Sequence, residues 1–597
     1  MAMTKGATVT AGGVGAGTRR TLVEAARGDR PLDLVIWGGD LLNVYTGETY
    51  PADIGILGDR IAIIDAGSRW GLTGAEEIDA RGLTAIPGFV DTHVHIESMM
   101  VTPPNFARGV LPFGTTTVVI DPHEIGNVTG LAGVEYMLRA SEGLPLRVYA
   151  TVPSSVPAVP ALETAGATFE AAEVAALLAW PRVLGVAELM DYPGVVRQAP
   201  RTAAIVEAGL ASGKTLEGHC PLLAGRELAA YLAAGVDSDH ECRGPEEMVE
   251  KLRAGMWVYG RENTFRHTAP FLAEALRAVP LPWNAALCTD DIEPDDLLRN
   301  GHLDRGVRVL IARGTDPALA IRIATLNGAT RYGLHDLGAL APGKLADVVL
   351  VRDLAAPRAA LVVAGGRVVA RDGVLVADFA DPAPPPRGDS VRLGAFGVEA
   401  FTPTGGGSGG PVAVPVIAMD PDRTTTLDTV TLHFAGGALA EPLPADLVLL
   451  GVVPRHGQAH PPTLALLRGL PLREGALATT IAHDSHNLIV AGRNPADMLV
   501  AVRAVAAMGG GVALVRDGAT LARVRLPVAG LMSDAPVEAI AAEVRAFNEC
   551  ARGLGLAGPS PILAISSLAL PVAPFYRLTD RGLADTLTQK LQANALR

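Results

Sequence analysis

The chain has 597 residues, of which 49% are hydrophobic and 19% charged, and its formal net charge is −13. At roughly 150 residues per domain the length corresponds to about two to four domains, and the apolar content excludes disorder for most of the chain. A pI near 5.5 without a dense Lys/Arg stripe argues against nucleic acid as a partner, no run of about 18 apolar residues offers a membrane span, and residues 1–30 lack the apolar core of a signal peptide.

Residues 1–30 are Gly/Thr/Ala-rich without periodicity and are predicted to be a flexible leader. From Leu32 short β-type runs follow, LDLVIWGGDLLNV and DIGILGDRIAIID, closed by Gly or Asp turn signals. The same pattern returns in LADVVLVRDL and LVVAGGRVVARDG. Residues 31–84 with 340–380 are therefore predicted to form one small split β-sandwich domain interrupted by a large insert. The insert, residues 85–339, alternates apolar runs with helical stretches. Strand candidates end at GLTAIPGFVDTHVH, TTTVVIDPHE, RVYATVPSS, VLGVAELM, KTLEGHC, VDSDHE, MWVYGRE and AALCTDD, with helices such as VEYMLRASE, FEAAEVAALLAW, RELAAYLAA and PEEMVEKLRAG between them. Eight such units over about 250 residues are the count and size of an α/β TIM-type (β/α)8 barrel. A stiff Pro-rich linker, DPAPPPRGD, and a flexible Gly-rich loop, TPTGGGSGG, follow. Residues 390–597 leave room for a C-terminal α/β domain with strands TTTLDTVTLHF, ADLVLLGVVP and GGGVALVRDG and helices PADMLVAVRAVAAM and PVEAIAAEVRAF.

His, Glu and Asp cluster at the C-terminal ends of the apolar runs, the face on which barrel enzymes place their chemistry. His93 and His95 are two apart at a strand end, so both imidazoles project from one face and can share a cation. His219 ends the fifth strand candidate, His240 the sixth and Asp290 the eighth. Singly, His219 or His240 reads better as a hydrogen-bonded residue without a ligand role, and His-x-His alone is a weak metal signal. As a set in register with barrel strands they read as a site for Zn, Mn or Fe(II). The cysteines number four, Cys220, Cys242, Cys288 and Cys550, too few for a disulfide framework and consistent with a reducing cytoplasm. Three of them lie within two residues of a proposed ligand and read as small strand-end packing residues.

This pattern resembles the amidohydrolase superfamily, whose barrels bind one or two metals through His-x-His on strand one, His on strands five and six and Asp on strand eight. The carboxylated lysine that bridges the metals in many members has no counterpart here, and Glu188 stands at strand four instead. A glutamate can bridge two cations with its two oxygens. PGFVDTHVHIESMMVTP, TTTVVIDPHEIGNVTG, PSSVPA with ETAGA, HECRGPEE, LCTDD with NGHLD, and AHDSHNLIVAG with LPVAGLMSD together resemble the bacterial adenine deaminase family, from about Leu32 to Asp585. GRENTFRH and ISSLALPVAPFY depart from its usual pattern.

The resemblance implies hydrolytic deamination of adenine to hypoxanthine and ammonia, a purine-salvage step, at a binuclear Mn or Fe(II) centre in a cytoplasmic homodimer. The implied metal ligands are His93, His95, Glu188, His219, His240 and Asp290. Asp290 would also take the proton of the attacking water and pass it to the amino group. Asp291 would orient substrate or cap the helix that follows. Glu241 ranks first as the acid that protonates the ring, ahead of Glu97, with His123 and Glu124 on the same rim. Arg261 or Glu262 could read the purine or form a surface ion pair. His483, Asp484, Ser485 and His486 form a polar knot that could be a lid, a subunit contact or a turn network. Two other readings stand beside this one: a cyclic amidohydrolase of the hydantoinase or dihydroorotase type, against which the missing lysine counts, and a noncatalytic barrel, against which the full ligand set counts.

Overall fold

The computed structural model describes residues 16–386, 388–405, 409–421, 423–594 and 596. Residues 1–15 of the predicted leader and the centre of the Gly-rich loop lie outside the described residues. The rest of the leader corrects the expectation of a mobile segment: Ala16–Ala26 is a helix. Leu22 and Ala25, three apart and so on one face, dock it on Leu32, Val35 and Ala62 of the adjoining sheet. Val23 between them is turned to solvent, so the docked face is short and the segment shows no hydrophobic period.

The β segments on either side of the barrel join in one nine-stranded sheet. Thr84–Pro87 from the first segment pairs antiparallel with Val348–Val351 from the second, Pro87 opposite Val348. Its outer strands run from Val374–Leu375 at one edge to Arg60–Ala66 at the other. At Gly88 the chain leaves this sheet for the barrel. A Cβ there would fall 2.2 Å from Thr116 Oγ1, so only glycine permits the crossing.

The barrel strands are β1 Phe89–Val94, β2 Thr115–Ile120, β3 Arg147–Val152, β4 Val183–Leu189, β5 Thr215–Gly218, β6 Ser238–Asp239, β7 Trp257–Arg261 and β8 Ala285–Cys288. β1 to β5 pair in parallel in chain order, as do β6 to β8. These strands are buried on both faces, which explains their near-continuous apolar runs. The barrel closes between β8 and β1 by a parallel bridge of Val94 with Asp290. There Asp290 N donates to His93 O at 3.0 Å and His95 N donates to Asp290 O at 3.0 Å. At the other seam Gly218 N donates to Ser238 Oγ at 2.9 Å. A Cβ on Gly218 would meet Ser238 O at 2.2 Å, so the close approach of β5 and β6 also requires glycine.

The C-terminal region is a second nine-stranded sheet. Its strands are antiparallel except where Gly410–Met419 runs parallel to Thr463–Arg468. The expected β-α alternation is thus replaced largely by hairpins, because short turns can join antiparallel neighbours and cannot join parallel ones. Helix Pro495–Ala507 covers one face through Met498, Ala501, Val502 and Val505. Helix Val537–Gly553 instead faces the barrel, where Arg545 pairs with Asp295 at 2.7 Å. Ser533 exchanges backbone hydrogen bonds with Met100 and Thr102 beyond β1. The C-terminal region therefore sits on the barrel mouth. No described helix is long and apolar enough to cross a membrane.

Candidate metal centre and active site

The six expected ligands converge at the C-terminal ends of β1, β4, β5, β6 and β8. Glu188, at the end of β4, stands between two pairs of imidazoles. Its Oε1 lies 3.7 Å from His93 Nε2 and 3.4 Å from His95 Nε2. Its Oε2 lies 2.6 Å from His219 Nδ1 and 3.2 Å from His240 Nε2. Asp290 Oδ1 faces the β1 pair, 3.3 Å from His93 Nε2 and 3.2 Å from His95 Nε2. Orientation is set from behind: Asp121 O takes His95 Nδ1 at 3.0 Å, which turns Nε2 inward.

His93, His95, Glu188, His240 and Asp290 are all buried, and His93 Nε2 has no hydrogen-bond partner. Orphaned imidazole nitrogen beside convergent carboxylates is the donor set of a first-row divalent cation, and groups from this set lie close enough together to hold one. Burial would raise the Glu188 carboxyl, but His219, His240 and His95 outweigh it and hold Glu188 well below the usual range. Burial likewise opposes a charged His240, and Glu188 overrides it, lifting the imidazole to about 9. In the same way Arg261, His93 and His95 hold Asp290 down against its burial.

Arg261, at the end of β7, donates to both Glu241 and Asp290. Burial opposes the Glu241 charge, yet Arg261 prevails and holds that carboxyl at about 2. Glu97 is the reverse case: burial and then the neighbouring Glu124 push it up to about 8. On the same rim Ser98 Oγ contacts Glu124 Oε1 at 2.8 Å and also Asp291 Oδ1. His123 sits among three carboxylates, its Nδ1 2.7 Å from Asp121 and 3.6 Å from Glu188 Oε1 and its Nε2 3.4 Å from Asp484. Glu124, Asp291 and His483 come together as a second buried group.

An amidohydrolase family profile matches residues 84–373, and a profile of the adenine deaminase C-terminal domain matches residues 422–590. The chain is 43% identical over 582 residues to an adenine deaminase of Moorella thermoacetica, covering 96% of this chain and 97% of that one. Another from Desulfatibacillum aliphaticivorans is 40% identical over 568 residues, 94% of this chain and 97% of that one. The chain belongs to the adenine deaminase family. Among solved structures, the β-aspartyl dipeptidase of Fervidobacterium islandicum AW-1 aligns with a TM-score of 0.45 at 18% identity, over 58% of this chain and 99% of that chain.

Within this adenine deaminase framework most expected site residues meet at one place, and three details differ from expectation. Glu241, ranked first as the ring acid, is ion-paired with Arg261 and Arg243 and so carries no proton to give. Arg261 is a buried clamp on two carboxylates rather than a surface pair. Glu262 turns away to His267 and Arg305. The polar knot of His483 to His486 lies on the barrel mouth of its own chain, with Asp484 at His123 and His483 and His486 near Glu124. Sequence reasoning missed Ser98, Asp121 and Asp91. Asp91 sits below the centre, accepting from Thr289 Oγ1 at 2.5 Å, and burial lifts it to about 7. Asp91 stands two residues before the ligand His93 and Asp121 two residues before His123, so a search for carboxylates flanking His on strand ends would have found both. The three cysteines near the ligands are buried and free, as the packing reading expects.

Proposed function

We propose that this chain hydrolyses adenine to hypoxanthine and ammonia at a binuclear centre, with manganese as the working metal and Fe(II) as a substitute. The observation that carries the reading is the division of labour at Glu188, whose two oxygens address two separate histidine pairs. His93, His95 and Asp290 would hold one cation, His219 and His240 the other, and Glu188 would bridge them. Cations bound there supply a water acidified toward neutral pH.

The chain's own groups do the rest. Asp290 accepts the proton of the attacking water and returns it to the departing amine. Arg261 keeps that carboxylate ionised and fixed, and a second carboxylate, Glu241, holds Arg261 in place. The ring nitrogen needs a protonated donor, a state that Glu97 offers at neutral pH and Glu241 does not. His123, Glu124 and Asp291 line the purine site, with the C-terminal region closing it from above. Residues 31–84 with 340–380, 85–339 and 390–597 form the β domain, the barrel and the capping domain. The enzyme works as a cytoplasmic homodimer on a small-molecule substrate.

The test is to reconstitute purified protein with Mn(II), add adenine, and follow both ammonia release and the spectral change to hypoxanthine. Turnover is expected. Failure with adenine alongside turnover of a dihydropyrimidine or another aminopurine overturns the proposal.

A further inference from the structure

Beside the six-ligand centre, two carboxylates on the rim of the purine site, Glu124 and Asp291, have histidines rather than Lys or Arg as their nearest cationic neighbours. Glu124 follows β2, Asp291 follows β8, and His483 comes from the C-terminal region. One ligand atom from each lies within 4.8 Å of the others, and all three residues are buried. No Lys or Arg among the described residues forms an ion pair with Glu124 or Asp291. Their shared neighbour Ser98 has a single hydroxyl proton for two carboxylate oxygens, so it satisfies one and leaves the other.

Two further buried atoms at Glu124 lack partners. Glu124 Oε2 has no hydrogen-bond partner, and neither has His486 Nε2, 3.6 Å away. His486 accepts the Ala482 N–H at Nδ1, so Nε2 bears its proton and steadies Glu124 rather than offering a lone pair. Buried carboxylates met only by distant imidazoles are costly, and a bound cation is one of the few ways to recover that cost.

We propose that Glu124, Asp291 and His483 form a third divalent-cation site, separate from the binuclear centre, that joins the barrel mouth to the C-terminal region. Two carboxylates and an imidazole favour a first-row ion such as Mn(II) over Ca(II), which prefers all-oxygen sites. Glu97 stands outside this donor set, its Oε1 engaged by the Ile125 N–H at 3.2 Å. The site spans chain segments almost 360 residues apart in sequence, so its occupancy would fasten the cap.

Full-length protein is titrated with Mn(II), freed of excess ion and assayed by elemental analysis, and crystals at three equivalents of Mn(II) are measured at the manganese edge. Three ions per chain are expected, the third anomalous peak lying between Glu124, Asp291 and His483. His483→Asn is expected to fall to two ions with both binuclear peaks retained, and Glu124→Gln provides the same readout should the first variant not fold. The third equivalent should raise the Tm of the parent protein and leave that of His483→Asn unmoved. Two ions per chain at saturation, a third peak seen only in large Mn(II) excess, or an unchanged count in both variants overturns the site. Its outcome is independent of adenine turnover, because ion counts are read without substrate.

Discussion

Glu188 shows how a single side chain sets the chemistry of the centre. A carboxylate at the end of β4 stands where a bridging modified lysine stands in many amidohydrolases; the strand pattern placed it there, and the family resemblance supplied its proposed role. Glu188→Gln is expected to lose bound metal and adenine turnover together, measured by elemental analysis and steady-state rates; full activity with metal retained would remove Glu188 from the bridge. Arg261 was only half legible. Its place on the rim followed from β7, but its pairing with Glu241 and Asp290 depends on how three strand ends splay, which no spacing encodes. Arg261→Met should lower kcat/KM about a hundredfold, the scale of removing the buried cation that two carboxylates share (~3 kcal/mol). Because Arg261 holds Asp290 down, its loss should also move the acid limb of the rate profile to higher pH. An unmoved profile would contradict that role.

At the scale of elements, β6 is the weak stave of the barrel, only two residues long. It is fastened from outside by Lys251 on the following helix, whose fully buried Nζ meets Asp239 Oδ2 at 2.9 Å, Glu247 Oε1 at 2.6 Å and Cys220 O at 2.7 Å. The helix PEEMVEKLRAG was legible from its period, but a lysine facing the core was not, since charge ordinarily marks the solvent side. Lys251→Met leaves Asp239 buried and unpaired and should cost about 3–5 kcal/mol in denaturant unfolding. Burial alone would raise Asp239, and Lys251 holds it well below the usual carboxylate range instead. A depressed carboxyl contributes stability above its unfolded value of about 3.9 and loses it as pH falls below that. The parent protein should therefore show a steeper acid loss of stability than Lys251→Met. The leader helix Ala16–Ala26 illustrates the opposite limit, in which two apolar contacts define an element too faint to read from sequence.

Across the whole molecule, the barrel and the C-terminal region share one hydrophobic core that runs from Phe106 and Leu297 to Val537, Ile540 and Phe547. Calorimetry should accordingly record one cooperative transition for both; two separated transitions would show that the shared core does not couple them. The eight barrel strands were legible because each is a buried apolar run ending in a polar cluster. The hairpin order of the C-terminal sheet was not, because strand pairing is decided by contacts distant in sequence. Glu163 lies where barrel and cap meet, beside Thr164, whose N–H donates to Asp580 Oδ1 at 2.9 Å. Burial, then Asp484, raises Glu163 to about 8. A raised carboxyl holds its proton in the folded state longer than in the unfolded state, where the value is about 4.3. Stability is thus expected to fall as pH climbs from about 4.3 toward 8, and Glu163→Gln should flatten that fall, as thermal melts across this range will show.

The barrel leaves the nine-stranded sheet after Pro87 and returns before Val348, and these two residues are direct partners across a strand pair. Gly88 N still donates to Asp347 O at 3.0 Å. Entrance and exit of some 260 residues are therefore only one inter-strand spacing apart, about 5 Å. Such a segment is a cassette. A different barrel with termini that meet at that spacing could be grafted into the same doorway without redrawing the sheet, so the catalytic body and its frame are free to change separately over evolutionary time or at the bench.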